Sequence, residues 1–250
     1  MKKIRKLRVL NTSKISPNIK RITFTSNDFE DFPENQNGSY IKFLFSDKSS
    51  DKKNTLVRPY TIRKFCKEKR ELDIDFTNHF GNKGYATKWA TECKIGDKIL
   101  ISGPGLKQKI DINSNWFIFV GDMTALPAIS VHLEELPENA VGYSVIETLS
   151  KDDQIYLKKP KNIKIKWITQ SENMNDINLL KEVRALKWYD SFPFVWVACE
   201  FSKMKNLRHF FQKEKMLLKK NMYISSYWKL GLNEEEHKVV KKKDALDWVV

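Results

Sequence analysis

The chain has 250 residues, of which 41% are hydrophobic and 12% aromatic, and its formal net charge is +14. This composition fits a globular protein with a substantial core, in one large domain or two modest ones. No apolar run approaches the roughly 18 residues of a membrane span. Three widely spaced cysteines, an odd number, argue against a disulfide framework.

The positive charge has two interpretations. A basic surface can bind nucleic acid, or it can concentrate small anionic molecules in a cleft. The basic residues are mostly scattered lysines, with only eight arginines, which is typical of a solvated surface. Nucleic-acid binding is therefore the minor hypothesis. The basic start of the chain leads into polar residues 11–18 without an apolar stretch, and this predicts a cytoplasmic protein.

From Ile4 to about Leu106, short apolar stretches alternate with polar turns. Five strands of an antiparallel sandwich or barrel are predicted, in residues 19–25, 41–45, 56–63, 72–77 and 98–102. One helix is predicted in residues 83–93, because glycines flank it on both sides.

After Asn113 the pattern changes to continuous apolar runs separated by helical stretches. Strands are predicted in residues 116–120, 141–146, 163–168, 194–198 and 222–225, and helices in 124–135, 176–187 and 202–215. Apolar strands interleaved with helices indicate a parallel sheet covered on both faces. The predicted domains are a β-barrel in residues 1–110, an α/β domain in 111–229 and a charged tail with a short helix in 230–250.

Residues 58–63 read R-P-Y-T-I-R. On an extended strand Arg58 and Tyr60 share one face, and Thr61 lies on the other. A guanidinium beside an aromatic ring suits a ligand with a phosphate and a flat ring. The structural alternative is an edge strand with an exposed arginine and a half-buried tyrosine.

Residues 121–128, G-D-M-T-A-L-P-A, follow the first strand of the α/β domain, where open parallel sheets bind nucleotides. Gly121 permits a tight exit from the strand, Thr124 is predicted to cap the next helix, and Pro127 falls in its first turn. Unpaired amides there would form an anion site. The strict glycine fingerprint of dinucleotide-binding folds is absent, so the motif predicts an unspecific nucleotide site.

Together these motifs resemble the siderophore-interacting protein family of the ferredoxin-reductase superfamily. The matches keep their order from about residue 5 to 237, and their combination is specific. They are R-P-Y-T at 58–61, E-L-D-I-D-F at 71–76 running to a histidine at 79, G-Y-A-T-K-W-A at 84–90, G-D-M-T-A-L-P-A at 121–128 and Y-W at 227–228.

The resemblance implies an antiparallel Greek-key barrel that binds FAD, followed by a Rossmann-like parallel-sheet domain that binds NADPH or NADH. It implies a cytoplasmic reduction of ferric siderophore that releases ferrous iron, and a monomer is expected. The histidines and cysteines have none of the paired spacings of zinc or cluster sites, so no metal site of the protein's own is expected. Ferredoxin is the alternative electron donor. Free flavin, a quinone or a partner protein is the alternative acceptor. No catalytic side chain is assigned, because the flavin would carry the chemistry.

The resemblance also implies eleven cofactor-binding residues and a tail near the flavin. They are Arg58, Tyr60 and Thr61 for the flavin ring and its phosphates, His79 for the nucleotide half, Gly84, Ala86 and Thr87 for the pyrophosphate, Asp122, Thr124 and Ala125 beside the nicotinamide, and Trp228 against the flavin. The chain departs from the family pattern at four positions. Tyr85 stands where the family has a proline, Met123 where it has a glutamate, and Cys199 and Ser226 where it has glycines.

Other polar side chains leave alternatives open. Glu147 ends the second α/β strand, where a carboxylate can bind a ribose hydroxyl and favour NADH. Lys151 nearby could reverse that preference, and a solvated glutamate is the alternative. His132 is predicted to pack on a helix face, and Cys199 to be a buried strand-end cysteine instead of a redox thiol. No nucleophile and base stand at a recognisable spacing. Lysines that could steer an anionic chelate include Lys48, Lys52, Lys53 and those of the tail.

Overall fold

The computed structural model describes residues 3–46, 55–77, 84–108, 110–171 and 177–247. The chain divides into two compact units. The first unit comprises residues 1–108 together with 152–156, and the second comprises 109–151 together with 157–250. Within the described ranges, no helix is long and apolar enough to span a membrane.

The first unit is a closed six-stranded barrel in the order β1-β2-β5-β4-β3-β6, with antiparallel neighbours and Greek-key connectivity. Its elements are β1 (Ile4–Ser16), β2 (Ile19–Thr25), β3 (Tyr40–Ser46), β4 (Thr55–Cys66), β5 (Glu71–Thr77), α1 (Tyr85–Glu92) and β6 (Lys98–Ser102). The predicted barrel is confirmed.

Alternate residues of these strands fill the barrel with aliphatic and aromatic side chains. Phe24 and Phe43 are fully buried, and Trp89 of α1 stacks on Phe24 with ring centroids 6.1 Å apart. Strand β1 is not among the predicted strands. Its polar second half still forms a strand, because Asn11 to Ser16 pair with β2 across a short turn.

The second unit is a five-stranded parallel sheet in the order β11-β10-β7-β8-β9. Strands β8 and β9 are added on one side of β7, and β10 and β11 on the other side. The point between β7 and β10 is therefore the switch point of a doubly wound sheet. Its elements are β7 (Phe117–Asp122), α2 (Leu126–Glu135), β8 (Val141–Thr148), β9 (Asn162–Thr169), α3 (Asn178–Arg184), β10 (Phe194–Glu200), α4 (Phe201–His209), β11 (Met222–Trp228) and α5 (Glu234–Asp247). The predicted α/β fold is confirmed.

Two helices of the second unit differ from the sequence prediction. The helix predicted in 202–215 is an α-helix only to His209 and continues as a π-helical turn, Phe210–Glu214. The short helix predicted in the tail is the 14-residue α5. Asn233 and Glu236 exchange side chain to backbone hydrogen bonds of 2.9 Å at its start. This capping box stabilises the start of a helix whose composition is mostly charged.

Candidate functional site

Strand β4 carries the R-P-Y-T motif inside the barrel wall. Among the described residues, the motif pairs with β3 on one side, and β4 pairs with β5 only from Ile62 onward. Tyr60 is half-buried, as the edge-strand alternative expects, but Arg58 is half-buried and not exposed. The ring of Tyr60 packs 4.4 Å from Phe76 and 5.6 Å from Phe43, centroid to centroid, and its burial raises the pKa of the phenol. The core therefore fixes the position of Tyr60.

Arg58 lies two residues before Tyr60 on the same face of β4, with Thr61 on the opposite face, as the strand periodicity predicts. Its guanidinium is half-buried, and Nη1 donates a 2.9 Å hydrogen bond to the carbonyl of Val57. A guanidinium and an aromatic ring thus stand side by side on a wall strand of the first unit.

Helix α1 begins with an exposed N-terminus that can accept an anion. Gly84 is its N-cap residue, in extended conformation, and among the described residues no side chain caps the first turn. That turn contains no acidic residue. A Cβ added at Gly84 would meet nothing closer than the Thr87 hydroxyl, at 3.6 Å. Ala86 and Thr87 are buried on the barrel side of the helix. The sequence-predicted His79 lies outside the described residues.

Helix α2 begins differently, and two predictions made for it are wrong. Its N-cap residue is Ala125 and not Thr124, because the Thr124 hydroxyl donates to Asp122 Oδ1 instead of capping the helix. The predicted anion site is absent, because the amides of Thr124, Ala125 and Leu126 already donate to acceptors within the turn. Pro127 has no N–H to offer.

Asp122 connects three strand ends of the second unit. Its Oδ1 accepts from the Thr124 amide at 2.9 Å and the Thr124 hydroxyl at 2.5 Å. Its Oδ2 accepts from the Glu200 amide at 2.9 Å and from the Trp228 indole Nε1 at 2.8 Å. The buried carboxylate thus orients the half-buried Trp228 ring at the carboxyl edge of the sheet. Sequence alone did not indicate this contact, because 106 residues separate the two side chains.

Gly121 has a packing role that differs from the predicted one. A Cβ at this position would lie 2.8 Å from both Ala125 Cβ and Ile129 Cδ1, and 2.9 Å from the Ala198 carbonyl oxygen. The residue belongs to β7 itself. Its missing side chain allows α2 to approach the sheet closely.

Glu147, at the end of β8, forms a buried ion pair with Lys203 of α4. Lys203 Nζ donates to both carboxylate oxygens, at 2.6 and 2.7 Å. The Glu147 side chain is 3% exposed and that of Lys203 is 7% exposed. The solvated-glutamate alternative is therefore wrong. Sequence reasoning missed Lys203, because the two residues are 56 positions apart.

Ser226 and His237 form a hydrogen-bonded pair of 2.8 Å, although no nucleophile–base pair was expected. Glu234 Oε2 lies 4.0 Å from the other ring nitrogen of His237. Ser226 and His237 are 1% and 3% exposed, so no substrate reaches the serine hydroxyl. Lys241 Nζ donates to Ser225 Oγ and to the Ser226 carbonyl, and burial lowers its pKa. These contacts attach α5 to β11.

The predictions for His132 and Cys199 are confirmed. His132 is buried on α2, with its ring 5.2 Å from that of Trp196. Cys199 is fully buried at the end of β10. Burial raises the pKa of its thiol well above the ordinary value, and the carboxylates of Asp122, Glu147 and Glu200 raise it further. Such a thiol is not a redox nucleophile.

The closed barrel and the doubly wound sheet define a class of protein, one with an antiparallel barrel unit and a nucleotide-binding α/β unit in the same chain. The sequence model described as "Siderophore-interacting FAD-binding domain" matches residues 8–56 and 46–108, and the model described as "Siderophore-interacting protein" matches residues 114–231. The chain belongs to the siderophore-interacting protein family, as its motifs predict.

Individual relatives agree with this assignment. The chain is 31% identical over 240 residues to ferric vibriobactin reductase ViuB of Vibrio cholerae, covering 89% of this chain and 88% of that protein. It is 27% identical over 231 residues to the NADPH-dependent ferric-chelate reductase of Escherichia coli, covering 85% and 88%. The crystal structure of the siderophore-interacting protein SipS from Aeromonas hydrophila superposes with a TM-score of 0.87 at 28% identity, covering 98% of this chain and 99% of that one.

Proposed function

We propose that this protein is an FAD-dependent reductase that takes electrons from a nicotinamide nucleotide and reduces ferric siderophore. The observation that carries the proposal is the match of the first unit to a siderophore-interacting FAD-binding domain over residues 8–108. The names of its relatives, reductases of ferric vibriobactin and of ferric chelates, support the substrate class.

The side chains of the first unit fit FAD. The start of α1 has a glycine N-cap and no acidic residue in its first turn, so its amides and the helix dipole suit a pyrophosphate. Gly84, Ala86 and Thr87 would bind that group. Arg58, Tyr60 and Thr61 would hold the flavin ring and its phosphates, with Tyr60 fixed by its packing on Phe76. His79 would contact the nucleotide half.

The second unit would bind the nicotinamide nucleotide at the carboxyl edge of its sheet. The switch point between β7 and β10 is where open α/β sheets bind nucleotides. Asp122, Thr124 and Ala125 lie at this point. All four hydrogen bonds to Asp122 come from within the unit, so its role there is to hold the Trp228 ring and the strand ends. Trp228 would present its indole to the flavin.

Bound FAD supplies the conversion between a two-electron hydride donor and a one-electron acceptor such as ferric iron. The residues named above bind and orient the cofactors, and none of them is assigned as an acid, a base or a nucleophile. Iron arrives on the siderophore and is released because siderophores bind ferrous ion more weakly. We place the reaction in the cytoplasm, because all three cysteines are free thiols.

The test is a visible absorption spectrum of the purified protein with added FAD. We expect a flavin spectrum that bleaches on anaerobic addition of NADPH or NADH and recovers when a ferric siderophore is added. A chromogenic ferrous chelator then reports the iron released. Arg58→Ala should weaken FAD binding at least about tenfold. The matched control Arg8→Ala removes an exposed arginine from β1 and should leave FAD affinity unchanged.

Three outcomes would contradict the proposal in whole or in part. A protein that takes up no FAD would overturn the flavoenzyme function as a whole. A flavin spectrum that responds to neither nucleotide would overturn the proposed donor and favour an iron–sulfur protein such as ferredoxin. Reduced protein that transfers electrons to free flavin or a quinone, but not to ferric siderophore, would contradict the proposed acceptor.

A further inference from the structure

We infer that the amino edge of the second unit's sheet is a docking surface for an anionic lipid bilayer. The surface consists of residues 213–220, called here the basic turn, and of Phe192 beside it. The inference does not rest on the proposed function, because it concerns the sheet edge opposite to the proposed nucleotide site.

The basic turn holds two large apolar side chains in solvent. Met216 is 70% exposed and Leu218 is 60% exposed, whereas Leu217 between them is 4% exposed. The Leu217 amide donates a 3.0 Å hydrogen bond to the carbonyl of the buried Phe211. Met216 has a φ of 55°, a left-handed conformation that is uncommon outside glycine. The buried Leu217 thus anchors a turn that keeps its two neighbours in water.

A third exposed apolar side chain, Phe192, belongs to the same surface. It is 61% exposed and follows Ser191. The carbonyl of Ser191 accepts a 2.7 Å hydrogen bond from the indole of Trp116. The ring of Trp116 packs 5.2 Å from that of Trp188, centroid to centroid, and Lys215 Nζ lies 4.4 Å over the Trp188 ring. These contacts connect Phe192 to the basic turn.

Lysines flank the exposed apolar side chains along the chain. Residues 184–192 and 213–220 contain six cationic side chains and two carboxylates. Of these carboxylates, Glu214 forms an ion pair with Arg184, and Asp190 is exposed. The excess of positive charge complements an anionic surface. The lysines concerned are Lys187, Lys213, Lys215, Lys219 and Lys220.

This combination of groups suits a bilayer more than a protein partner. In a bilayer, exposed apolar side chains enter the acyl region while the flanking ammonium groups stay beside the lipid phosphates. Tryptophan rings and lysines are common at that depth. The core of a protein interface is depleted of lysine, whereas here lysines stand directly beside Met216 and Leu218.

Docking at this edge leaves the opposite edge of the sheet uncovered. Phe192 lies just before β10, and the basic turn leads into β11 at Met222, so both lie at amino ends of strands. Asp122 and Trp228 lie at carboxyl ends, about 20 Å away along the strands. A bilayer at the amino edge would therefore not cover the proposed nucleotide site.

Vesicle flotation of the full-length chain with added FAD tests the inference. Vesicles of phosphatidylcholine with about a quarter phosphatidylglycerol supply the anionic surface, and pure phosphatidylcholine vesicles supply the neutral one. We expect the chain to float with the anionic vesicles at about 0.1 M salt and to bind the neutral ones at least about tenfold more weakly. Raising the salt to about 0.5 M should remove most of the binding.

The apolar contribution is tested by the double variant Met216→Ser/Leu218→Ser. It should weaken binding to the anionic vesicles at least about tenfold, because two side chains no longer enter the acyl region. The matched control is Ile95→Ser/Val239→Ser, which removes two apolar side chains that are 68% and 69% exposed elsewhere. It should keep the binding within about twofold of wild type.

The charge contribution is tested by Lys213→Gln/Lys220→Gln, which should also weaken the binding at least about tenfold. Its control, Lys94→Gln/Lys98→Gln, removes two exposed lysines from the first unit and has the same net charge. That control should stay within about threefold of wild type. A difference between these two variants locates the binding at the basic turn.

Several results would overturn the inference. If both serine variants float like wild type, the attraction is that of a basic protein in general and not of this surface. Flotation with neither kind of vesicle excludes the bilayer. A dimer in sedimentation velocity that Met216→Ser/Leu218→Ser converts to a monomer would assign the surface to a second copy of the chain.

Two checks keep the test decisive. If Met216→Ser/Leu218→Ser does not fold, Lys213→Gln/Lys220→Gln decides, and unchanged binding there contradicts the inference. Flavin reduction by the nicotinamide nucleotide without vesicles should be the same in all these variants. Loss of membrane binding is thereby distinguished from failure of the proposed reductase function.

Discussion

The sequence predicts an anion site at the start of helix α2, and the family resemblance implies a pyrophosphate site at the start of helix α1. In the structure, α1 begins at Gly84 with no side-chain cap and no acidic residue in its first turn. By contrast, α2 begins beside the carboxylate of Asp122, and its first amides donate to acceptors within the turn. Within the part of the chain that the structure describes, the first amides of α1 can therefore bind a ligand, whereas those of α2 are used in hydrogen bonds within the turn.

This difference separates the roles of the two units. A helix N-terminus binds phosphate only when its donors are available and no fixed carboxylate opposes the anion. Among the described residues, the start of α1 meets both conditions. In the second unit, the buried carboxylate organises the sheet edge and orients Trp228. A nucleotide at that edge must be recognised by groups other than these amides.

The largest effect is expected from Asp122→Ala. The change removes the acceptor of four hydrogen bonds, among them those from the buried Glu200 amide and the half-buried Trp228 indole, so the unfolding free energy should fall by about 3–4 kcal/mol. Denaturant unfolding of the FAD-free protein measures this loss. Asp152→Ala removes an exposed carboxylate and should change it by less than about 0.5 kcal/mol. Equal effects of the two variants would show that Asp122 is not the connection we describe.

The next effect is expected from Gly121→Ala. Its new methyl group would press on the Ala198 carbonyl and on α2, which overpacks the unit and should cost about 2 kcal/mol of unfolding free energy. At the start of α1, Gly84→Ala meets nothing closer than 3.6 Å and should cost about 0.5 kcal/mol. Thermal unfolding of both FAD-free variants provides the comparison. A Gly121→Ala protein as stable as Gly84→Ala would disprove the close packing of α2.

Gly84→Asp should have effects of opposite sign on stability and on binding. The extended backbone at Gly84 suits an aspartate N-cap, which should stabilise the FAD-free protein by about 0.3–0.5 kcal/mol. The same carboxylate would oppose the pyrophosphate and weaken FAD binding about tenfold or more. Flavin fluorescence titration measures the affinity, with Gly84→Ala as the uncharged control. Unchanged FAD affinity in Gly84→Asp would move the pyrophosphate away from α1.

The smallest effect concerns Asp244 of α5, which forms a bidentate ion pair with Arg208 at 2.6 and 2.7 Å. The hydrogen bond from Arg208 lowers the pKa of Asp244 in the folded protein. Its stabilisation is therefore fully present above the unfolded pKa of about 3.9 and is lost as the pH falls through the lower folded pKa.

Unfolding of wild type and Asp244→Asn from pH 7 to about pH 3 tests this dependence. The two proteins should differ by about 1 kcal/mol at neutral pH and converge as the pH falls below about 4. A difference that grows on acidification would contradict the assigned direction of the pKa shift.

Much of the fold follows from short-range patterns in the sequence. Strands β2 to β6 and β7 to β11 are predicted within a few residues, because alternating and continuous apolar runs report burial on one or two faces of a strand. The first strand, β1, was missed, because its polar half is held by its partner β2 and not by burial. Helix α5 was underestimated, because its charged composition conceals the buried His237 and the capping contact at Asn233.

The sequence by itself determined the class of each unit, the order of the motifs and the family, since these depend on local residue patterns. Only the tertiary structure decided which polar groups remain available to a ligand. Asp122 is satisfied by Trp228, 106 positions away, and Glu147 is neutralised by Lys203, 56 positions away. Whether a carboxylate or an amide can bind a ligand depends on the partners that folding brings to it, and no local pattern reports partners at such separations.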